Sequence, residues 1–164
     1  KARTMPIQLD PFQEEAIRWI GEEHSVLVSA PTGAGKTLIA ERAIEQALSR
    51  GEAVIYTAPI KALSNQKYRD FRASYGDRVG ILTGDVSINV EAPILIMTTE
   101  IYRNSLFEDP HRIRKIGWVI FDEIHYLDDP ERGTVWEEAI LFTPPEIRML
   151  ALSATVPNVK QLAE

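Results

Sequence analysis

Short apolar runs alternate along this chain with stretches of helical periodicity, and this alternation restricts the possible folds more than any other feature. The runs occupy residues 26–28, 53–56, 80–82, 94–97, 118–121 and 149–152. Runs that are apolar throughout are typical of strands buried on both faces, which occur in parallel sheets covered by helices. The sequence therefore predicts a three-layer α/β domain with a mostly parallel sheet and helices on both faces.

Several helix ends are marked by residues that favour caps. Asp10 and Pro11 are residue types preferred at the N-cap and at the first position of a helix, and Gly21 ends the apolar pattern that follows. A second helical face stops at Gly51, which suits the left-handed position after a helix. A further helix is predicted over residues 134–141.

The composition excludes several classes of protein. With 164 residues, 45% of them hydrophobic and 26% charged, the chain has the make-up of one soluble domain. No signal peptide is visible and no apolar run approaches the ~20 residues of a membrane span, so we expect no membrane association and a cytoplasmic location, or a nuclear one in a eukaryote. The absence of cysteine excludes disulfides, and the net charge of −6 excludes a polycation that binds nucleic acid with its whole surface.

A glycine-containing loop directly follows the first predicted strand and leads into a helical pattern. It consists of Ser29, Ala30, Pro31, Thr32, Gly33, Ala34, Gly35, Lys36 and Thr37. Because Gly33 and Gly35 lack a Cβ atom, the backbone can curl and direct its N–H groups at an anion beside the start of the helix. Lys36 would then contact the β- and γ-phosphates of a nucleotide, and the Thr37 hydroxyl would bind Mg²⁺. The usual pattern has glycine where Ala30 stands, and an ordinary turn with a solvated lysine is the alternative.

Two acidic residues follow the predicted strand at 118–121. Because ligands of α/β sheets bind at the carboxyl ends of the strands, Asp122 and Glu123 are expected to face the glycine-containing loop. Asp122 would hold Mg²⁺ through water, and Glu123 would orient and deprotonate an attacking water molecule. Adjacent acids at a strand end are also common as the solvated start of a helix, so the prediction of a hydrolase depends on the loop.

Several motifs, taken in chain order, resemble those of a known family. Residues 30–37, Asp122-Glu123-Ile124-His125 and Ser153-Ala154-Thr155 resemble motifs I, II and III of the superfamily 2 helicases. More narrowly, the chain resembles the superkiller-like, exosome-associated DExH RNA helicases. The segments that carry this second resemblance are Ala2-Arg3-Thr4, Leu9-Asp10-Pro11-Phe12-Gln13, residues 58–66, Arg132-Gly133 and Trp136-Glu137-Glu138.

The resemblance implies a RecA-like P-loop domain that binds ATP and Mg²⁺ and couples ATP hydrolysis to movement on single-stranded RNA. Residues 1–164 would form the first RecA-like domain, excised from a longer chain that also carries the second, and an RNA-decay complex is a candidate partner. Lys36, Asp122 and Glu123 would be the catalytic residues, and the metal would bind at Thr37 and Asp122. The isolated domain is expected to be weakly active or inactive.

Four further residues match positions with a family role. Gln13 resembles the glutamine that reads adenine, since an amide can both donate to and accept from the adenine edge. Alternatively, Gln13 closes a capping box with Asp10. His125, Ser153 and Thr155 are similar to residues that couple the γ-phosphate to movement. The alternative is that both hydroxyl residues cap a following helix and that His125 is a structural histidine.

Candidate nucleic-acid contacts also follow the predicted strands. They are Pro59, Lys61, Asn65, Gln66, Thr83, Gly84, Asp85, Thr98, Thr99 and Glu100. Such groups suit phosphate and ribose contacts, which fix position without reading sequence, although helix capping uses the same groups. Basic residues expected on solvated surfaces instead are Lys67, Arg69, Arg72, Arg112, Arg114 and Lys115. The acids of residues 128–131 are expected in a solvated loop rather than in a metal site.

The residues leave three other functions open. A DNA helicase of the same superfamily would carry the same loop and acids, since only contacts to the 2′-hydroxyl distinguish RNA from DNA. A P-loop nucleotidase or GTPase would share the loop but would not be stimulated by nucleic acid. A non-catalytic nucleotide-gated scaffold is the third alternative, and the presence of Lys36 and Glu123 argues against it.

Overall fold

The computed structural model of the protein describes residues 11–22, 24–29, 35–109, 111, 115–124 and 133–153. The helices in these ranges are α1 (Pro11–Gly21), α2 (Lys36–Ser49), α3 (Lys61–Tyr75), α4 (Thr99–Glu108) and α5 (Gly133–Phe142), with a 3₁₀ turn at Gly76–Arg78. The strands are β1 (Val26–Ser29), β2 (Ala53–Ala58), β3 (Val79–Leu82), β4 (Ser87–Ile88), β5 (Ile94–Thr98), β6 (Ile116–Phe121) and β7 (Arg148–Ser153). None of the helices described is both long and apolar enough to cross a bilayer.

The strands form one sheet in the order β1-β7-β6-β2-β5-β3-β4. Neighbouring strands are parallel, except that β3 and β4 pair antiparallel. Six of the strands correspond to the predicted apolar runs, and the mostly parallel sheet is therefore confirmed. The sequence did not predict β4, because this strand consists of only two exposed residues and gives no apolar run.

Helices cover both faces of the sheet, so the predicted three layers are confirmed. Val54 and Tyr56 of β2 join the core formed with α1, α2 and α3, whereas Ile55 between them joins the core formed with α4 and α5. All three residues are buried. Burial on both sides explains why these strands are apolar throughout instead of alternating with polar residues.

The helix ends agree with the capping residues of the sequence. Helix α1 begins at Pro11 and ends at Gly21. Gly51 follows α2 with a φ of 71°, the left-handed conformation that glycine adopts without a steric cost. Helix α5 extends one residue beyond each predicted bound. The predicted N-cap, Asp10, lies outside the described residues.

The carboxyl ends of β1, β7 and β6 lie side by side at one edge of the sheet. Ser29 of β1 is in register with Ser153 of β7, and Phe121 of β6 is in register with Ala151 of β7. One strand therefore separates the loop after β1 from the acids after β6, a distance of about 10 Å. A ligand of nucleotide size at this edge can contact both.

Candidate active site

A cavity of 340 Å³ lies at this edge of the sheet. Its lining residues are Gly35, Lys36, Thr37, Tyr56, Lys67, Asp122, Glu123 and Leu152. The structure thus brings the end of the glycine-containing loop together with both acids, as the sequence predicted. Five further predicted loop residues lie outside the described part of the chain: Ala30, Pro31, Thr32, Gly33 and Ala34.

Helix α2 begins at the cavity, and its N-cap residue has no side chain that could cap the helix. Its N-cap residue is Gly35, which has a φ of 84°. Only glycine adopts this conformation easily. The prediction that the loop uses a residue without a Cβ atom is therefore confirmed at this position. The first N–H groups of a helix have no partner within the helix and carry partial positive charge, so this end of α2 favours an anion.

The Lys36 amine is the strongest chemical indication of a ligand in the cavity. Its Nζ atom is buried and has no hydrogen-bond partner in the described part of the chain. A buried donor without a partner costs about 1–3 kcal/mol, and a charged one costs more. A phosphate group in the cavity would satisfy this amine, so the residues present fit a nucleotide.

Gln13 reaches the glycine-containing loop from helix α1. Its Nε2 atom donates a hydrogen bond of 3.0 Å to the carbonyl oxygen of Gly35, and the residue is buried. A Cβ atom on Gly35 would lie 2.1 Å from this Nε2 atom, so the contact requires glycine as well as glutamine. The predicted capping box depends on Asp10, which the described residues do not include.

Asp122 is held by two neighbours that sequence analysis did not place in the site. The buried hydroxyl of Tyr56 donates a hydrogen bond to its Oδ2 atom, and the Nζ atom of Lys67 lies 3.9 Å from the same oxygen. Burial first, and then the nearby Asp122 carboxylate, raises the pKa of Tyr56 well above its usual value. The tyrosine therefore stays protonated and acts as the donor.

The prediction that Lys67 lies on a solvated helix face is wrong. Its side chain is only 23% exposed and crosses the Tyr56 ring, with Nζ 6.0 Å from the ring centroid. The long apolar stem of lysine can pack along a buried ring while its charged end reaches another group, and helical periodicity does not reveal this. Arg69, Arg72 and Lys115 are exposed, as predicted. Arg112, Arg114 and residues 128–131 lie outside the described ranges.

Glu123 lines the cavity in an unusual backbone conformation. Its φ of 55° lies in the left-handed region, which costs a residue other than glycine about 1–2 kcal/mol. Such strain persists only where the surrounding structure imposes it, and it is frequent at functional sites. The conformation is therefore a second indication that the residues at this end of β6 have a functional role as well as a structural one.

Of the three predicted coupling residues, the described part of the chain includes only Ser153. It is buried beside Leu152 of the cavity. Its Oγ atom makes no hydrogen bond to either Asp122 or Glu123 within the described residues. The coupling role of Ser153 stays a prediction, and His125 and Thr155 are not described.

A second cavity, of 430 Å³, collects most of the predicted nucleic-acid contacts. Its lining residues are Pro59, Ile60, Lys61, Gly84, Thr98, Thr99, Glu100, Ile101 and Val135. At its rim, Lys61 Nζ lies 2.6 Å from Asp85 Oδ2 in an exposed ion pair. Asn65 and Gln66 lie further along α3 and are not among the lining residues.

Two threonines among the predicted nucleic-acid contacts have structural roles that the sequence left open. The Oγ1 atom of Thr98 accepts a hydrogen bond of 3.3 Å from the Ile101 amide and caps α4. The Oγ1 atom of Thr83 accepts from the amides of Asp85 and Val86 in the turn after β3. Helix capping is therefore confirmed for Thr98, which still borders the second cavity.

Comparisons with known proteins agree with this geometry. A family model described as DEAD/DEAH box helicase matches residues 10–162. The ATP-dependent RNA helicase mtr4 of Schizosaccharomyces pombe is 56% identical over 163 residues, which are 99% of this chain and 14% of that protein. The exosome RNA helicase MTR4 of Homo sapiens is 53% identical over 99% of this chain and 16% of that protein. The chain thus spans a small fraction of the length of these curated relatives.

The fold is also shared with a solved helicase structure. Mycobacterium smegmatis helicase Lhr, bound to single-stranded DNA and AMP-PNP, superposes with a TM-score of 0.75 at 27% identity, over 95% of this chain and 24% of that one. The RecA-like fold and the resemblance to exosome-associated RNA helicases are confirmed. The chain belongs to the DEAD/DEAH box helicase family.

Proposed function

We propose that the chain is the first RecA-like domain of an ATP-dependent RNA helicase and that its 340 Å³ cavity binds ATP with Mg²⁺. The observation that carries this proposal is the buried Lys36 amine, which has no hydrogen-bond partner among the described residues and faces a cavity that also contains two acids. A polyphosphate chain supplies the negative oxygens that this amine lacks.

Four residues of the cavity then have defined tasks. Lys36 and the start of α2 would bind the β- and γ-phosphates, and Thr37 and Asp122 would hold the metal, which would supply positive charge beside the phosphates. Glu123 orients a water molecule for attack on the γ-phosphorus and accepts its proton, while ADP departs. Arginines from a second RecA-like domain would stabilise the transferred charge after the two domains close.

We further propose that Gln13 selects adenine, since its amide lies against the glycine-containing loop. Replacing Gln13 by alanine should reduce the preference for ATP over GTP by about tenfold to hundredfold, because one or two hydrogen bonds to the base are lost. Competition of GTP with a labelled ATP analogue measures this preference. The exposed neighbour Glu14 gives a matched control, since Glu14→Ala leaves the loop contact intact. Lower thermal stability with unchanged selectivity would favour the capping role.

The second cavity is proposed to bind the phosphates and riboses of single-stranded RNA. Its lysine, threonines and helix starts provide donors for the backbone, and such contacts allow any sequence to pass. The relatives from Schizosaccharomyces pombe and Homo sapiens are both named RNA helicases, which supports RNA over DNA. The second of these relatives is named an exosome helicase, which supports an RNA-decay assembly as partner. A cytoplasmic location, or a nuclear one in a eukaryote, stays a prediction.

Nucleic-acid-stimulated hydrolysis by the two-domain protein tests the proposed function. We expect single-stranded RNA to stimulate ATP turnover and a DNA strand of the same sequence to compete poorly, because only RNA offers the 2′-hydroxyl. Equal stimulation by DNA would favour a DNA helicase. Turnover without stimulation would favour a P-loop nucleotidase, and nucleotide binding without turnover would favour a scaffold.

A further inference from the structure

The Oδ2 atom of Asp122 is contacted from two elements other than its own strand. The Tyr56 hydroxyl of β2 donates a hydrogen bond to it, and the Lys67 amine of α3 lies 3.9 Å away. The Asp122 side chain is only 8% exposed. A carboxylate this deeply buried is costly unless it is hydrogen-bonded and its charge is balanced, and these two neighbours provide both.

Tyr56 is itself rigidly held. Its ring is 1% exposed and packs edge-on against Phe71, with 5.0 Å between ring centroids. The next residue of β2, Thr57, accepts a hydrogen bond of 2.9 Å from the Asp122 amide through its carbonyl oxygen. Strand β2 therefore fixes both the backbone and the carboxylate of Asp122, so the carboxylate cannot rotate without breaking the bond to Tyr56.

Within the described residues, the two contacts commit one oxygen of the carboxylate and leave the other available. Both neighbours touch Oδ2, and no hydrogen bond to Oδ1 is made within the described part of the chain. Asp122 and Thr37 both line the cavity. The carboxylate is thus presented in one orientation before any ligand arrives.

We propose that Tyr56 is a positioning residue that holds the Asp122 carboxylate in the orientation that binds the hydrated metal. This inference rests on the proposed function, since it assumes that magnesium binds between Thr37 and Asp122. Tyr56 acts on the metal through Asp122, to which its hydroxyl donates. Partners of this kind fix the orientation of metal-binding carboxylates, and their loss typically weakens metal affinity by about 10- to 100-fold.

The test is the variant Tyr56→Phe in the two-domain protein, because phenylalanine keeps the packed ring and removes only the hydroxyl. Thermal stabilisation by a non-hydrolysable ATP analogue is titrated with Mg²⁺, and Mn²⁺ binding is followed by electron paramagnetic resonance. We expect the half-saturating metal concentration to rise by about tenfold. Affinity for the analogue in EDTA should stay unchanged, since Lys36 and the loop are intact.

Tyr75→Phe is the matched control. Its ring packs against the same Phe71, at 5.9 Å, but its hydroxyl lies outside the cavity lining. This variant should keep the metal titration of the original protein. A Tyr56→Phe protein with the original half-saturating metal concentration would overturn the inference, even if its melting temperature fell. If the unmodified protein gained no metal-dependent stabilisation, the proposed magnesium site itself would be wrong.

Discussion

Replacing Lys36 by alanine is expected to abolish detectable nucleotide binding. The substitution removes the buried amine that faces the cavity and leaves Asp122 and Glu123 to repel the phosphates. Charge-assisted hydrogen bonds to phosphate are among the strongest in proteins, so Kd should rise by at least about 100-fold. Isothermal titration calorimetry with a non-hydrolysable ATP analogue measures this change.

Arg42→Ala is a suitable control for the lysine variant. Arg42 lies on the same helix, its side chain is half exposed, and it pairs with Glu45 at 3.7 Å. Its loss removes a positive charge from α2 without touching the cavity, so nucleotide affinity should persist. An unchanged Kd for Lys36→Ala in a folded protein would exclude the lysine from phosphate binding.

Glu123→Gln is expected to preserve nucleotide binding and to eliminate most turnover. Glutamine has the size of glutamate but accepts a proton far less readily, so RNA-stimulated hydrolysis should fall by about 10²- to 10⁴-fold. Steady-state phosphate release by the two-domain protein gives the rate, and a binding titration of the same sample gives the affinity. The pair of measurements separates catalysis from binding.

The exposed acid Glu146 offers the matching control. Glu146→Gln makes the same chemical change before β7, outside the cavity, and should leave the rate unaltered. Hydrolysis by Glu123→Gln at a nearly normal rate would show that another group activates the water.

The central strands could be predicted because neither of their faces is polar, so each strand gives a continuous apolar run in the sequence. Residues such as Ile55 and Val119 are buried among other apolar groups, and their neighbours in the strand are buried on the opposite face. Strand β4 could not be predicted in this way. Directly after this strand, Asn89 donates through its Nδ2 atom to the carbonyl oxygens of Asp77 and Val79, a contact that no apolar pattern reveals.

The sequence predicted the site residues that directly follow a strand. It did not predict the contacts that depend on which strands are neighbours in the sheet. The glycine-containing loop and the acids each follow an apolar run, so their meeting at one edge could be inferred. Tyr56 and Asp122 lie 66 positions apart and meet because β2 pairs with β6, with Tyr56 in register with Ile120. One signal was present: a tyrosine within a buried strand needs a partner for its hydroxyl.

A crystal structure of the two-domain protein with Mg²⁺ and a non-hydrolysable ATP analogue tests the proposed nucleotide site most directly. We expect phosphate oxygens on the Lys36 amine and the metal between the Thr37 hydroxyl and the Asp122 carboxylate, with Glu123 beside the γ-phosphate. A nucleotide bound away from this edge of the sheet, or a metal that neither Thr37 nor Asp122 approaches, would contradict this expectation.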